Sequence, residues 1–84
     1  MKVHELKTWG YYFRCILNES KKFEVRKDDR GFQERDVLYL REWDEKKDKY
    51  TGRFCIVQVG NVLKGGCFGI EHGYCVMTIN LMKP

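Results

Sequence analysis

Eighty-four residues suffice for one domain, and a chain this short buries only about 60 to 65% of the surface its unfolded form exposes, so its core must be compact. Hydrophobic residues make up 43% and charged residues 33%, with a single proline, which excludes a disordered or low-complexity chain. The formal charge of +4, from 16 Lys and Arg against 12 Asp and Glu, is too mild to name a partner. Residues 1–35 nevertheless hold nine of the basic side chains against six acidic ones, so a local surplus able to attract phosphate falls in the first half.

Met1–Lys7 carries no apolar run like a signal peptide, and no stretch approaches the roughly 20 apolar residues that a bilayer span needs. A soluble cytoplasmic protein with no membrane partner is therefore expected. In that compartment Cys15, Cys55, Cys67 and Cys75 are expected as thiols, small residues of the core.

Val3–Leu6 reads as a short extended start. Thr8 then offers an N-cap, and Trp9, Tyr12, Phe13, Ile16 and Leu17, at i, i+3, i+4, i+7 and i+8, predict one amphipathic helix with Arg14, Asn18 and Glu19 on its opposite face. Strict alternation in Lys22-Phe23-Glu24-Val25-Arg26 predicts a strand, with Phe23 and Val25 toward the core and Lys22, Glu24 and Arg26 on the other face. Asp28–Gly31 is a turn. Val37–Trp43, apolar on both sides at its start, predicts a central strand, and Asp44–Lys49 a solvated hairpin tip. Tyr50–Arg53 re-enters a strand over Phe54–Val59, a glycine-rich connection spans Lys64–Gly73, and the last strand covers Tyr74–Ile79. One helix and about five strands, mostly hairpin-connected, favour a small mixed α+β barrel, a single domain over residues 1–84, because closure removes exposed edges.

The order of landmarks, His4–Lys7, the helix, Lys21–Arg30 and Asp36–Leu40, resembles the ASCH family. Tyr50–Arg53, the Leu63–Gly66 loop and Gly73-Tyr74 are similar to a bacterial and phage branch of small ASCH-like proteins, and the similarity spans nearly the whole chain. The family's Gly-x-Lys-x-x-Glu-x-Arg signature is met at Lys21, Glu24 and Arg26. Two departures stand out: Glu19 occupies the position of the signature glycine, and Arg35-Asp36 stands where relatives usually have Gly-Asp before a strand. The resemblance implies a PUA-like fold, a mixed barrel with the helix plugging one end and a cleft beside the signature strand. It also implies RNA or a modified nucleotide as partner.

Glu24 and Arg26, two residues apart, share one side of a strand. A guanidinium offers a planar donor fork to phosphate or a base, and a carboxylate accepts from an amino group such as cytosine N4. Lys21, Lys22 and Arg30 add positive charge. Trp43 and Tyr74 are candidates to stack on an unpaired base for about 1 to 3 kcal/mol each. Lys64 beside Gly65-Gly66 is either a phosphate contact with backbone N–H groups or part of a flexible connection. Taken alone, the residues fit equally well a Glu24–Arg26 surface ion pair worth about 0 to 1 kcal/mol, with Lys21 and Lys22 solvated.

The resemblance implies an alternative, an amidohydrolase that removes the acetyl group of N4-acetylcytidine with a Lys, a Thr and a Glu. Lys21 matches the first, Glu24 occupies the position of the second, and Glu71 is the acidic residue in the region of the third. Lys21 and Glu24 are then the catalytic candidates, the lysine as base or nucleophile if neighbouring cations or burial lower its pKa. Cys67, His72 and Cys75 lack the paired C-x2-C spacing of a structural zinc site, so no metal and no cofactor is expected. His4 reads as a satisfied structural residue. A third reading, a protein-interaction module, requires an exposed apolar patch around Trp9, Tyr11 and Trp43.

Overall fold

The computed structural model describes residues 1–83 as β1 (Val3–Trp9), α1 (Gly10–Leu17), β2 (Phe23–Lys27), β3 (Val37–Asp44), β4 (Lys49–Lys64) and β5 (Tyr74–Lys83). The strands form one five-stranded sheet in the order β1-β3-β4-β5-β2, curled into a half-barrel. β1 runs parallel to β3 and every other pair is antiparallel. β1 and β2 are thus the two edges of the sheet, and the barrel is not closed by pairing them.

Alternation supplies the core. Leu6, Leu38, Leu40, Cys55, Val57, Val59, Cys75, Met77 and Ile79 point inward from four strands, and Phe13, Ile16 and Phe32 cover them. Each large side chain buried in this way contributes about 1.5 to 3 kcal/mol. Register shifts between Arg41 and Trp43, between Ile56 and Val57, and between Val59 and Val62 bend the long strands, as bulges do. Glycine is required at two close approaches: a Cβ at Gly60 would stand 2.5 Å from Thr78 Oγ1, and one at Gly65 would stand 2.0 Å from the Glu71 carbonyl oxygen.

A buried polar clamp fixes the amino-terminal strand. His4 Nε2 donates to Asp36 Oδ2 at 2.8 Å, the Lys2 amide donates to Oδ1 at 3.0 Å and the Gln33 amide to Oδ2 at 3.0 Å. Phe32 packs against the His4 ring at 4.7 Å between centroids, with the planes steeply inclined. Burial pushes the Asp36 carboxyl up, but the bonds from His4, Lys2 and Gln33 outweigh it and hold the carboxyl below its ordinary value.

Four expectations are corrected. The helix begins at Gly10, because Thr8 is an inward residue of β1 and the cap position, Trp9, makes no side-chain cap bond. β4 outruns the predicted Val59 by continuing past the bulge at Gly60, and β5 outruns the predicted Ile79 by pairing on along Gln58, Val57 and Ile56. In β2 the predicted phase is inverted: Phe23 and Val25 are 46% and 54% exposed, while Glu24 is 3% exposed and faces inward. Among the thiols, all free, Cys55 and Cys75 are core residues, but Cys15 is half-buried and Cys67 exposed. No helix of the described residues is long and apolar enough to cross a membrane.

Candidate functional site

The candidate site lies at the seam between the two unpaired edges. After α1 the chain reverses through Glu19, which adopts a left-handed φ of 62°, and the amides of Ser20 and Lys21 both donate to the Cys15 carbonyl, at 3.0 and 3.1 Å. This return places Lys21 over the inward side of β2. Its Nζ donates to the Phe23 carbonyl at 2.6 Å and to Glu24 Oε2 at 2.5 Å. From the other side Arg26 Nε and Nη2 reach Glu24 Oε1 at 2.9 and 2.8 Å.

Arg26 also crosses the seam. Its Nη2 donates to Thr8 Oγ1 on β1 at 3.2 Å, and farther along Arg30 Nη1 donates to the edge carbonyl of Glu5 at 2.9 Å. Side-chain contacts therefore tie together edges that no ladder joins. Above them opens a cavity of about 710 Å³, with Trp9, Tyr11 and Tyr12 on one wall and Lys21, Glu24 and Arg26 on the other. Trp9 and Tyr12 stack with their planes 21° apart, and the Lys21 ammonium sits 5.6 Å from the Tyr12 ring.

The Lys21 and Arg26 side chains are only 14% and 22% exposed, so their charges act in a poorly solvated setting where they attract an anion more strongly than on an open surface. Both Glu24 oxygens are engaged, so this carboxylate first of all orients two cations. An ammonium has three donors and the recorded bonds use two of them, while Arg26 Nη1 has no partner among the described residues. Donors remain for a ligand. Burial first, and then the charge of Glu24, push the Cys55 thiol up to about 11, so it is no nucleophile at neutral pH.

Of the eight residues proposed as contacts, Lys21, Glu24 and Arg26 converge on the cavity and the other five lie elsewhere. Lys22 is exposed beside Asn80, outside the cleft. Arg30 caps the β1 edge. Trp43 belongs to the outer face of β3, under the Lys7 ammonium at 4.0 Å. Lys64 pairs with Asp28 at 2.6 Å, and this bond raises the lysine's pKa. Tyr74 pairs with Lys27, at the end of β2 away from Phe23. Glu71 stands exposed in the glycine-rich connection and does not line the cavity.

Sequence reasoning missed Lys7, Thr8 and Tyr12 as wall residues. The available signal was the helix stripe, which holds more aromatic bulk than one turn of core accepts: Phe13 and Ile16 are buried, while Trp9 and Tyr12 stay open on the cleft. A second inward carboxylate, Glu42, is buried under Gly10. It accepts from Thr51 Oγ1 at 2.8 Å, with Arg53 at 3.6 Å and Arg14 at 3.8 Å.

A match to the family described as Domain of unknown function (DUF3850) covers residues 3–79, the whole of the half-barrel's seam included. The chain belongs to the DUF3850 family. Over 52 residues, 62% of its length, it is also 40% identical to a protein of Escherichia phage P2 named "Uncharacterized 12.9 kDa protein in GpA 3'region". The matched stretch spans 46% of that relative's length. Every residue that lines the seam cavity, from Lys7 to Arg26, falls inside the DUF3850 match.

Proposed function

We propose that this chain is an RNA- or nucleotide-binding module whose ligand lies in the seam cleft. The observation that carries the reading is the convergence of two poorly solvated cations, Lys21 and Arg26, on a cavity walled by Trp9, Tyr11 and Tyr12. The cations meet a phosphate or a base carbonyl, and the aromatic wall stacks on an unpaired base. Glu24 holds both cations in place and keeps spare lone pairs for an amino group at the cleft floor. The ASCH-like order of landmarks supports the same ligand class and a PUA-like relationship. The four free thiols accord with a reducing, cytoplasmic setting.

The experiment is fluorescence anisotropy with a labelled single-stranded RNA at low and moderate salt. Binding that weakens with salt, and weakens about fivefold to a hundredfold in Tyr12→Ala, is the expected result. Tyr12 is exposed and outside the Glu24 network, so its loss tests the wall without disturbing the fold. Absence of binding at low salt, or binding indifferent to both Tyr12→Ala and Arg26→Ala, overturns the reading.

The convergence of Lys21, Glu24 and Arg26 on the cavity favours one second reading, hydrolysis of an acylated nucleoside such as N4-acetylcytidine. There Glu24 takes a proton from water, the hydroxide attacks the acetyl carbon, and Lys21 and Arg26 face the developing oxyanion; the amine leaves with a proton and acetate is released. Release of acetate, lost in both Lys21→Ala and Glu24→Gln, is the outcome that supports it. No turnover of a panel of acylated cytidines removes it.

A further inference from the structure

Across the seam, β1 and β2 face each other with unpaired backbones. The Ile79 amide donates to the Lys22 carbonyl at 3.0 Å and the Asp28 amide to the Gly73 carbonyl at 2.8 Å, and an antiparallel ladder bonds every second residue of an edge strand to its one neighbour. The even-numbered residues of β2 therefore bond to β5, and Phe23, Val25 and Lys27 aim their backbone groups into the seam. At the start of β1 the Lys2 carbonyl accepts from the Val37 amide at 2.8 Å, so His4, Leu6 and Thr8 bond toward β3, while Val3, Glu5 and Lys7 turn their backbone groups to the seam. Side chains already use two of these free carbonyls: Lys21 caps that of Phe23 and Arg30 that of Glu5.

The gap has the width of one strand. β1 and β2 stay more than 8 Å apart, Cα to Cα, along nearly all their length, too far for a ladder of their own, yet a single arginine side chain spans the distance from Arg26 to Thr8 Oγ1. A strand laid between two edges needs two ladder spacings, roughly 9.6 Å. The register of β2 on β5 is free of bulges and its outer face shows Phe23 and Val25, which suits an edge that accepts another strand.

Water satisfies an open edge equally well, so the edge alone names no partner. The charge beside it does. Lys7, Lys21 and Arg26 line the seam cavity against the single carboxylate of Glu24, whose two oxygens are already bonded. An inserted strand points every second side chain into that cavity, where an Asp or Glu meets the poorly solvated Lys21 and Arg26, and turns the alternate ones outward beside Phe23 and Val25.

We propose that the seam accepts an extended acidic segment of a partner protein as an added strand, with a carboxylate on the cavity side between apolar residues on the outer side. The strand pairs with Phe23, Val25 and Lys27 on one edge and with Glu5 and Lys7 on the other, in place of the Arg26–Thr8 and Arg30–Glu5 bonds, and completes the barrel. Lys21 and Arg26 also serve the nucleotide, so partner and nucleotide exclude each other. That exclusion rests on the cleft reading; the strand site does not.

The probe is a fluorescein-labelled peptide with Val-Glu-Val-Glu-Val at its centre and Gly and Ser at its ends, titrated into the full chain by anisotropy, with amide hydrogen exchange followed by NMR. Saturable binding is expected, with the amides of Phe23, Val25 and Lys27 newly protected from exchange and the peptide released by cytidine monophosphate. N-methylation of the peptide at every second residue removes ladder donors and weakens binding about tenfold or more. Val25→Pro, which takes a donor from the seam edge and none from the β5 ladder, weakens it likewise. No binding at millimolar peptide, or binding that neither protects these amides nor responds to N-methylation, overturns the proposal. Peptide and nucleotide bound together also overturn it, since the carboxylate then does not occupy Lys21 and Arg26. Protected peptide binding in a chain that takes no cytidine monophosphate supports the strand site and removes the cleft reading; nucleotide binding without peptide binding removes the strand site alone.

Discussion

β2 and β3 alternate inward and outward side chains with the same period, yet β2 and the first half of β3 turn opposite kinds inward. β3 buries Leu38 and Leu40 and shows Tyr39 and Arg41 outside, whereas β2 buries Glu24, half-buries Arg26 and shows Phe23 and Val25. The difference follows the interior of the half-barrel. It is apolar where Leu38, Leu40, Val57 and Met77 meet, and polar at the seam, where Thr8, Glu24 and Arg26 meet. Desolvated charges are costly, and a small domain keeps them inside only where they are paired or put to use. The apolar part accounts for stability, and the polar part is where the proposed ligand binds.

The largest break in this contrast is Leu40→Ala, expected to cost about 2 to 5 kcal/mol in urea unfolding because the wall around it cannot collapse. Glu24→Ala follows, at about 2 to 3 kcal/mol, since it leaves Lys21 and Arg26 facing each other with nothing between. The triple substitution Lys21→Met, Glu24→Leu, Arg26→Met sharpens the contrast: unfolding free energy unchanged or raised, ligand binding lost. A large loss of stability in that variant would mean that the seam charges hold the fold.

Asp36 marks the other way to keep a charge inside, fully bonded and structural. Its carboxyl is depressed in the folded chain, so its contribution is whole above the ordinary aspartate value of about 3.9 and fades as pH falls through the lowered one. Urea midpoints of the native chain and Asp36→Asn should therefore differ at pH 6 and converge on acidification below about pH 4. The smallest effects are gains. Glu19 and Arg35, at φ 62° and 73°, hold backbone conformations that glycine adopts freely, and Glu19→Gly and Arg35→Gly are each expected to add about 0.5 to 1 kcal/mol.

Much of this architecture was legible from periodicity. The helix stripe, the β3–β4 hairpin with its charged tip, and the glycine-rich connection all fall where composition put them. β2 shows where periodicity stops: alternation fixes which residues share a face but not which face is inside, and the rule that apolar residues go inward fails on an edge strand beside a polar cavity. Thr8 misled for a related reason, since a threonine before a helical pattern reads as a cap whether or not its hydroxyl is needed elsewhere, here by Arg26. For the site, spacing showed that Glu24 and Arg26 share a face and the resemblance added Lys21, while the aromatic wall depends on how α1 rolls against β1 and β3. Trp43 is kept from the cleft by its place on the outer face of β3, under the Lys7 ammonium.

The account stands on the seam cleft holding a nucleotide, and an amide-resolved NMR titration of the isotope-labelled chain with cytidine monophosphate tests this most directly. The predicted result is saturable shifts confined to residues around Trp9, Tyr12, Lys21 and Arg26, with the Trp9 indole among them. Saturating shifts that cluster elsewhere, or none at millimolar ligand, would contradict it.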